Sequence, residues 1–130
     1  VEPTVIAQWH RAVAEHDLAE IDALFADDAT FVSPAVHTPQ IGKTLVTRYI
    51  HAALAVLNTP SFRYVDAWYG EDSAVLEFEV TIDDLYVNGI DIIRWNASGK
   101  IVFFKVMARP LKALNLVVAK MGVELRRVGA

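Results

Sequence analysis

The 130-residue chain contains no cysteine, so disulfides, thiolate nucleophiles and cysteine-held zinc are excluded at the outset. Basic residues are outnumbered, 12 against 16 acidic, and they form no run. A net charge of −4 without a basic patch argues against a nucleic-acid partner. Long apolar stretches are missing too: the longest, Ala52-Ala53-Leu54-Ala55-Val56-Leu57, falls far short of the roughly twenty residues a membrane span needs. Neither a span nor a leader pattern is visible, and the expectation is a cytoplasmic protein with no membrane partner. No repeat or low-complexity tract occurs.

What the chain does have is apolar content. Hydrophobic residues make up 54% and the mean hydropathy is +0.30, high for a small soluble domain. Apolar area is therefore expected to line a cavity, a subunit interface or both. The length suits one domain, residues 1–130, with a substantial core.

Pro3 suits a first helical turn, and Val5, Ile6, Trp9 and Val13 follow at helical spacing, which predicts a helix over 3–16. Asp17, with Glu20 three residues on, resembles a capping box that opens a short helix bearing Leu18, Ile21, Leu24 and Phe25. A strand over 29–34 places Phe31 and Ser33 on one face, and 35–42 reads as a loop. Leu45, Val46, Tyr49, Ala53 and Leu57 give a third helix its apolar stripe until Asn58 and Pro60 end it. Four strands are expected over 61–69, 74–83, 85–95 and 100–109. Glu77, Glu79 and Thr81 alternate with Leu76, Phe78, Val80 and Ile82, and an outward Lys105 sends Phe104, Val106 and Ala108 inward. Asn96-Ala97-Ser98-Gly99 reads as a hairpin turn, in preference to a glycosylation acceptor. Pro110 opens a last helix with Leu111, Leu114, Val118 and Met121 on one side, ending at Gly122. Helices first and strands after predict an α+β fold, a curved antiparallel sheet wrapped around helices.

Asp91 stands out. It sits in the apolar run Val87-Asn88-Gly89-Ile90-Asp91-Ile92-Ile93-Arg94-Trp95 and shares a strand face with Val87, Gly89, Ile93 and Trp95. A charged carboxylate there costs on the order of several kcal/mol unless it is paired, hydrogen-bonded or protonated. Either a structural partner or a ligand accounts for it, and its pKa is expected to be raised. Other chemistry is less well placed. His10 and His16 fall on different sides of a helix, His37 is in a loop and His51 cannot share a face squarely with Tyr49, so no metal-ligand spacing emerges and no cofactor is expected. Asp27 and Asp28 suit solvation or capping at a helix end, and Arg109 suits an ion pair or an anion.

Ala26-Asp27-Asp28-Ala29-Thr30, the loop from Pro34 to Gly42, Gly89-Ile90-Asp91 with Arg94-Trp95-Asn96, and Gly99-Lys100-Ile101 together resemble the nuclear transport factor 2-like superfamily. Ketosteroid isomerases, SnoaL-like polyketide cyclases, scytalone dehydratase and limonene epoxide hydrolase belong to it. The likeness runs to Arg109 and implies a cone enclosing one deep, mostly apolar pocket. Asp91 falls where ketosteroid isomerases keep a protonated Asp that hydrogen-bonds the substrate oxyanion. Trp9 stands where they have a donor Tyr, and Ser33 where they have the general-base Asp. An unactivated hydroxyl lacks the basicity for that role, so ordinary ketosteroid isomerase activity is not expected. The acid that cyclases and limonene epoxide hydrolase place on the final strand is also missing from Phe103-Phe104-Lys105-Val106-Met107-Ala108.

These readings combine into one expectation. The chain forms a homodimer and binds an apolar small molecule carrying a carbonyl or hydroxyl, with Asp91 and Trp9 as polar anchors. Phe31, Ser33, Tyr49, Phe78, Val80, Ile93, Trp95, Phe104, Val106 and Ala108 are expected to form the pocket wall. Asp91 serves an isomerase-, cyclase- or dehydratase-like enzyme as proton donor or acceptor; the alternative is a non-catalytic binding module. Ile90, Ile92, Phe103 and Met107, on the opposite sheet face, supply the dimer contact.

Overall fold

Six strands form one sheet in the order β2-β1-β6-β5-β4-β3, and a computed structural model describes residues 1–129 of the chain that builds it. The strands are β1 (Phe25–Val32), β2 (Gln40–Ile41), β3 (Arg63–Tyr69), β4 (Ser73–Ile82), β5 (Leu85–Trp95) and β6 (Ile101–Arg109). The helices are α1 (Thr4–Ala14), α2 (Leu18–Ala23), α3 (Lys43–Leu57) and α4 (Leu111–Gly129). The fold is α+β, as the residue patterns imply, with one departure: β1 joins β6 in parallel, so the sheet is mixed. Helix α3 and four strands lie between β1 and β6 in the chain, and that crossover brings β6 back beside β1 in the same direction.

Local chemistry sets the element ends. The Asp17 carboxylate accepts from the Glu20 amide at 3.0 Å, the N-terminal half of a capping box. Asp83 and Asp84 both take positive φ, 49° and 67°, which is the two-residue turn that matches strand twist and joins β4 to β5. Gly99, at φ 75°, closes the next hairpin with Asn96. Several boundaries move, and the loop expected over 35–42 contains the short strand β2. β1 begins at Phe25, so Asp27 and Asp28 are exposed strand residues and not a helix end. α4 runs through Gly122, and its buried face is Ala113, Val117 and Met121 while Leu111 is exposed. The chain has several apolar rows at that helix; the one that seats against the body includes the small Ala113.

Three register shifts curve the sheet, between Phe25 and Thr30, Tyr64 and Asp66, and Arg94 and Trp95. The inner face carries Leu76, Phe78, Val80, Val87, Ile93, Phe104 and Val106 against α1 and α3. Asp91 lies in that set, opposite Leu76 on β4 and Val106 on β6. α4 leans on α3 and on the inner ends of β5 and β6, over the wide end of the cone. Among the described residues no helix is long and apolar enough to cross a membrane.

Candidate active site

Asp91 is 6% exposed, and burial pushes its carboxyl up to about 7. The Tyr64 hydroxyl donates to Asp91 Oδ2 at 2.6 Å and offsets part of that rise. Trp9 Nε1–H in turn donates to the Tyr64 oxygen at 2.9 Å. Three elements distant in sequence thus meet in one relay, from α1 through β3 to β5. Burial first, and the Asp91 charge second, hold Tyr64 well above its ordinary range. Tyr64 therefore remains a proton donor near neutrality, and Asp91 is the group that changes state.

Packing fixes the relay. Trp9 lies on the buried stripe of α1, edge-on to Phe25 at 6.5 Å and tilted against Phe104 at 5.0 Å. Tyr64 precedes the β3 bulge, where Val65 is the extra residue, and bulges re-aim neighbouring side chains. The Phe78 ring lies across Gly89: a Cβ there would sit 2.5 Å from Phe78 Cζ and 2.6 Å from the Met107 carbonyl. Gly89 is needed for that close approach. Half-buried His10 covers Tyr64 with ring centroids 4.9 Å apart, and burial lowers its pKa, opposed by Glu2.

Beside the relay is a cavity of about 30 Å³, with room for about one or two waters. Asp91, Trp9, Tyr64, Phe78, Phe104 and Val106 line it together with Ile50, Ala53, Leu54, Leu57 and Phe62. Asp91 and Tyr64 are its only ionisable lining groups among the described residues. The arrangement offers one carboxyl that gains and loses a proton near neutrality in an apolar setting, steadied by a neutral phenol.

Several expectations are corrected by this geometry. The expected deep pocket is a small void, because aromatic rings and α4 fill the cone. Trp9 is beside Asp91, but its single N–H is spent on Tyr64 and is not offered to a ligand. Ser33 lies away from Asp91: its Oγ accepts from the Ala35 amide at 2.9 Å, and it borders an outer groove with His37 and Leu114. Phe31 and Ala108 line a second void at the wide end, beside Val117 and Met121. Tyr49 packs on Phe31 at 5.8 Å, Val80 and Ile93 are core, and Trp95 faces a groove with Thr4 at the far end of the sheet. None of these four lines the Asp91 cavity.

Tyr64 and Phe62 were missed by sequence reasoning, although Arg63 between them marks Tyr64, in β3, and Phe62, just before it, as inward positions. The remaining polar candidates have structural partners. His51 Nε2 meets Asp22 Oδ1 at 2.7 Å, and Arg109 Nη1 donates to Asn88 Oδ1 at 3.4 Å and forms no ion pair among the described residues. Glu15, Asp17 and Glu20 bring carboxylates within 4.8 Å of one another, yet Asp17 caps α2 and Glu20 pairs with Arg11.

Comparison with known proteins agrees with this architecture. The SnoaL-like domain matches residues 6–104. A steroid delta-isomerase from Pseudomonas aeruginosa is 34% identical, with a TM-score of 0.89 over 95% of this chain and 90% of that one. A bacterial protein with a cystatin-like fold from Silicibacter pomeroyi is 27% identical, TM-score 0.88, over 97% and 88%. At 21% identity and TM-score 0.65, over 81% and 88%, the epoxide hydrolase/cyclase-like enzyme SalBIII of salinomycin pyran-ring formation shares the fold. No curated protein sequence matches. With its family matched over most of its length and the same cone of helices and sheet, the chain belongs to the SnoaL-like family of the nuclear transport factor 2-like superfamily.

Proposed function

We propose that the protein is an isomerase-, cyclase- or dehydratase-like enzyme that binds an apolar molecule carrying a carbonyl or hydroxyl and exchanges a proton with it through Asp91. One observation carries the reading: a buried carboxyl poised near neutrality, held by Tyr64, at the wall of an otherwise apolar cavity. As a carboxylate, Asp91 can take a proton from carbon next to a carbonyl; as an acid, it can return that proton or donate to oxygen. Tyr64 stays neutral throughout and limits how basic Asp91 becomes. The 34% identity to a steroid delta-isomerase supports this class of chemistry, while Ser33 and Trp9 separate the chain from the ordinary ketosteroid isomerase set.

A second reading rests on a specific observation: among the described residues Asp91 has no second carboxylate beside it at the cavity. A binding module that uses Asp91 only to recognise a polar group fits that lone acid. Deuterium uptake from D₂O into 2-tetralone, an apolar cyclic ketone, separates the two. The enzyme reading predicts uptake that rises with pH to a plateau above about 7 and is lost in Asp91→Asn. Binding of 2-tetralone without catalysed uptake supports the module instead. Uptake unchanged in Asp91→Asn removes Asp91 from the chemistry.

A further inference from the structure

The wide end of the cone is occupied by part of the chain itself. Val117 and Met121 of α4 border a void of about 10 Å³ whose other walls include Phe31 and Ala108. That void and the Asp91 cavity share Ala53, Leu57, Phe78 and Val106, so they lie on two sides of the same side chains. Neither space admits an organic molecule, since ordinary small-molecule sites measure roughly 300–1,000 Å³. Something must leave before a ligand reaches Asp91. The strands cannot leave without breaking ladder hydrogen bonds, and α1 and α3 carry more of the core than α4, which contributes Ala113, Val117 and Met121. α4 breaks no strand pair when it moves. Its polar ties are few: Arg48 Nη2 donates to the Leu125 carbonyl at 3.1 Å, and Lys120 reaches Asp83 at 3.1 Å across a largely exposed gap. Arg48 Nε is buried beneath it without an acceptor among the described residues.

We propose that α4 is a removable plug. Val117 and Met121 stand in for the apolar body of the ligand, and the helix undocks when a ligand enters and reaches Asp91. The inference rests on the ligand class proposed above and adds its regulation: the empty protein closes the wide end of its own cone until a ligand competes with α4.

Native-state hydrogen exchange on the full chain tests it first without ligand. Amides around Ala113, Val117 and Met121 are expected to exchange as one unit, through an opening at least about 100-fold more frequent than the opening that exposes Val80 and Ile93. Equal protection of α4 and β4–β5 would overturn the plug. Saturating 2-tetralone is then expected to speed α4 exchange at least about tenfold while slowing that of β5. Its binding is also expected to move the Met121 methyl resonance and leave that of Met107, the other methionine, in place. Bound 2-tetralone with α4 still protected and Met121 unmoved would refute the plug and leave the binding reading intact. Independent opening of α4 with no 2-tetralone bound would support the plug and refute the proposed ligand class.

Discussion

At the scale of single residues, the chain concentrates its unusual chemistry in Asp91, and pH exposes it. Its folded pKa, about 7, lies above the ordinary carboxyl value of 3.8, so between those limits the folded state holds a proton that the unfolded state has lost. Stability from this group therefore falls as pH rises from about 4 to about 7, by an amount on the order of 4 kcal/mol, and stays low above. Asp91→Asn should remove that decline, gaining on the native chain at pH 8 relative to pH 5. Parallel melting-temperature curves for the two proteins from pH 4 to 8 would contradict the assignment. Tyr64 acts the other way. Tyr64→Phe should raise the Asp91 pKa further, because the bond that favours the carboxylate is gone, and should cost about 1–3 kcal/mol, since Trp9 Nε1–H loses its acceptor. A Trp9→Phe/Tyr64→Phe pair costing clearly less than the sum of the singles, measured by urea unfolding, is the expected signature of the relay.

Elements decide whether those residues meet. β5 carries Asp91 and, two residues before it, Gly89, whose missing Cβ lets Phe78 fold over the sheet. Gly89→Ala should destabilise by more than about 2 kcal/mol, because the methyl collides with backbone as well as with a ring and cannot be relieved by a rotamer change alone. A near-wild-type midpoint in denaturant would show that the approach is less tight than described. Much of this level was legible in the sequence. β5 was read with its observed bounds, and the inward set of β4 followed from alternation of acids with Leu76, Phe78, Val80 and Ile82. The capping role of Asp17 also followed from local spacing. What could not be read were contacts that local period does not encode. Trp9 and Tyr64 are 55 positions apart, and the parallel seat of β1 on β6 depends on a crossover that no window of residues contains. The phase of α4 was hidden for another reason: Leu111, Leu114, Val118 and Met121 form as plausible a stripe as Ala113, Val117 and Met121, and only the shape of the body selects between them, keeping Met121.

For the whole molecule, the cone leaves its outer sheet face uncovered by any element of the chain. Trp68, Val75, Ile90, Ile92, Phe103 and Met107 form its apolar centre, with Trp68 and Met107 the most exposed at 53% and 45%. Charge is divided across it. Asp66, Glu77 and Glu79, the last paired with Arg63, mark the β3–β4 side, and Arg94, Lys105 and Arg109 the β5–β6 side. Asp66 and Glu77 are register partners, an unfavourable like-charge pairing that cations of a second copy would relieve. A two-fold dimer places the basic side of one subunit on the acidic side of the other and buries the centre of both. We propose that assembly. Light scattering at micromolar concentration should give about twice the 14.4 kDa chain mass, and Ile92→Asp should halve it. A native mass near one chain would refute the dimer without touching the site, since no residue of the Asp91 cavity wall belongs to the proposed contact.

The claim on which the rest depends is that Asp91 is a buried acid balanced near neutrality by Tyr64. Carbon-13 NMR of the Asp91 side-chain carboxyl, followed from pH 3 to 9 in the intact protein, measures that directly. The expected titration midpoint is about 7, moving higher in Tyr64→Phe. A midpoint in the ordinary carboxyl range, unchanged by loss of the Tyr64 hydroxyl, would contradict the account.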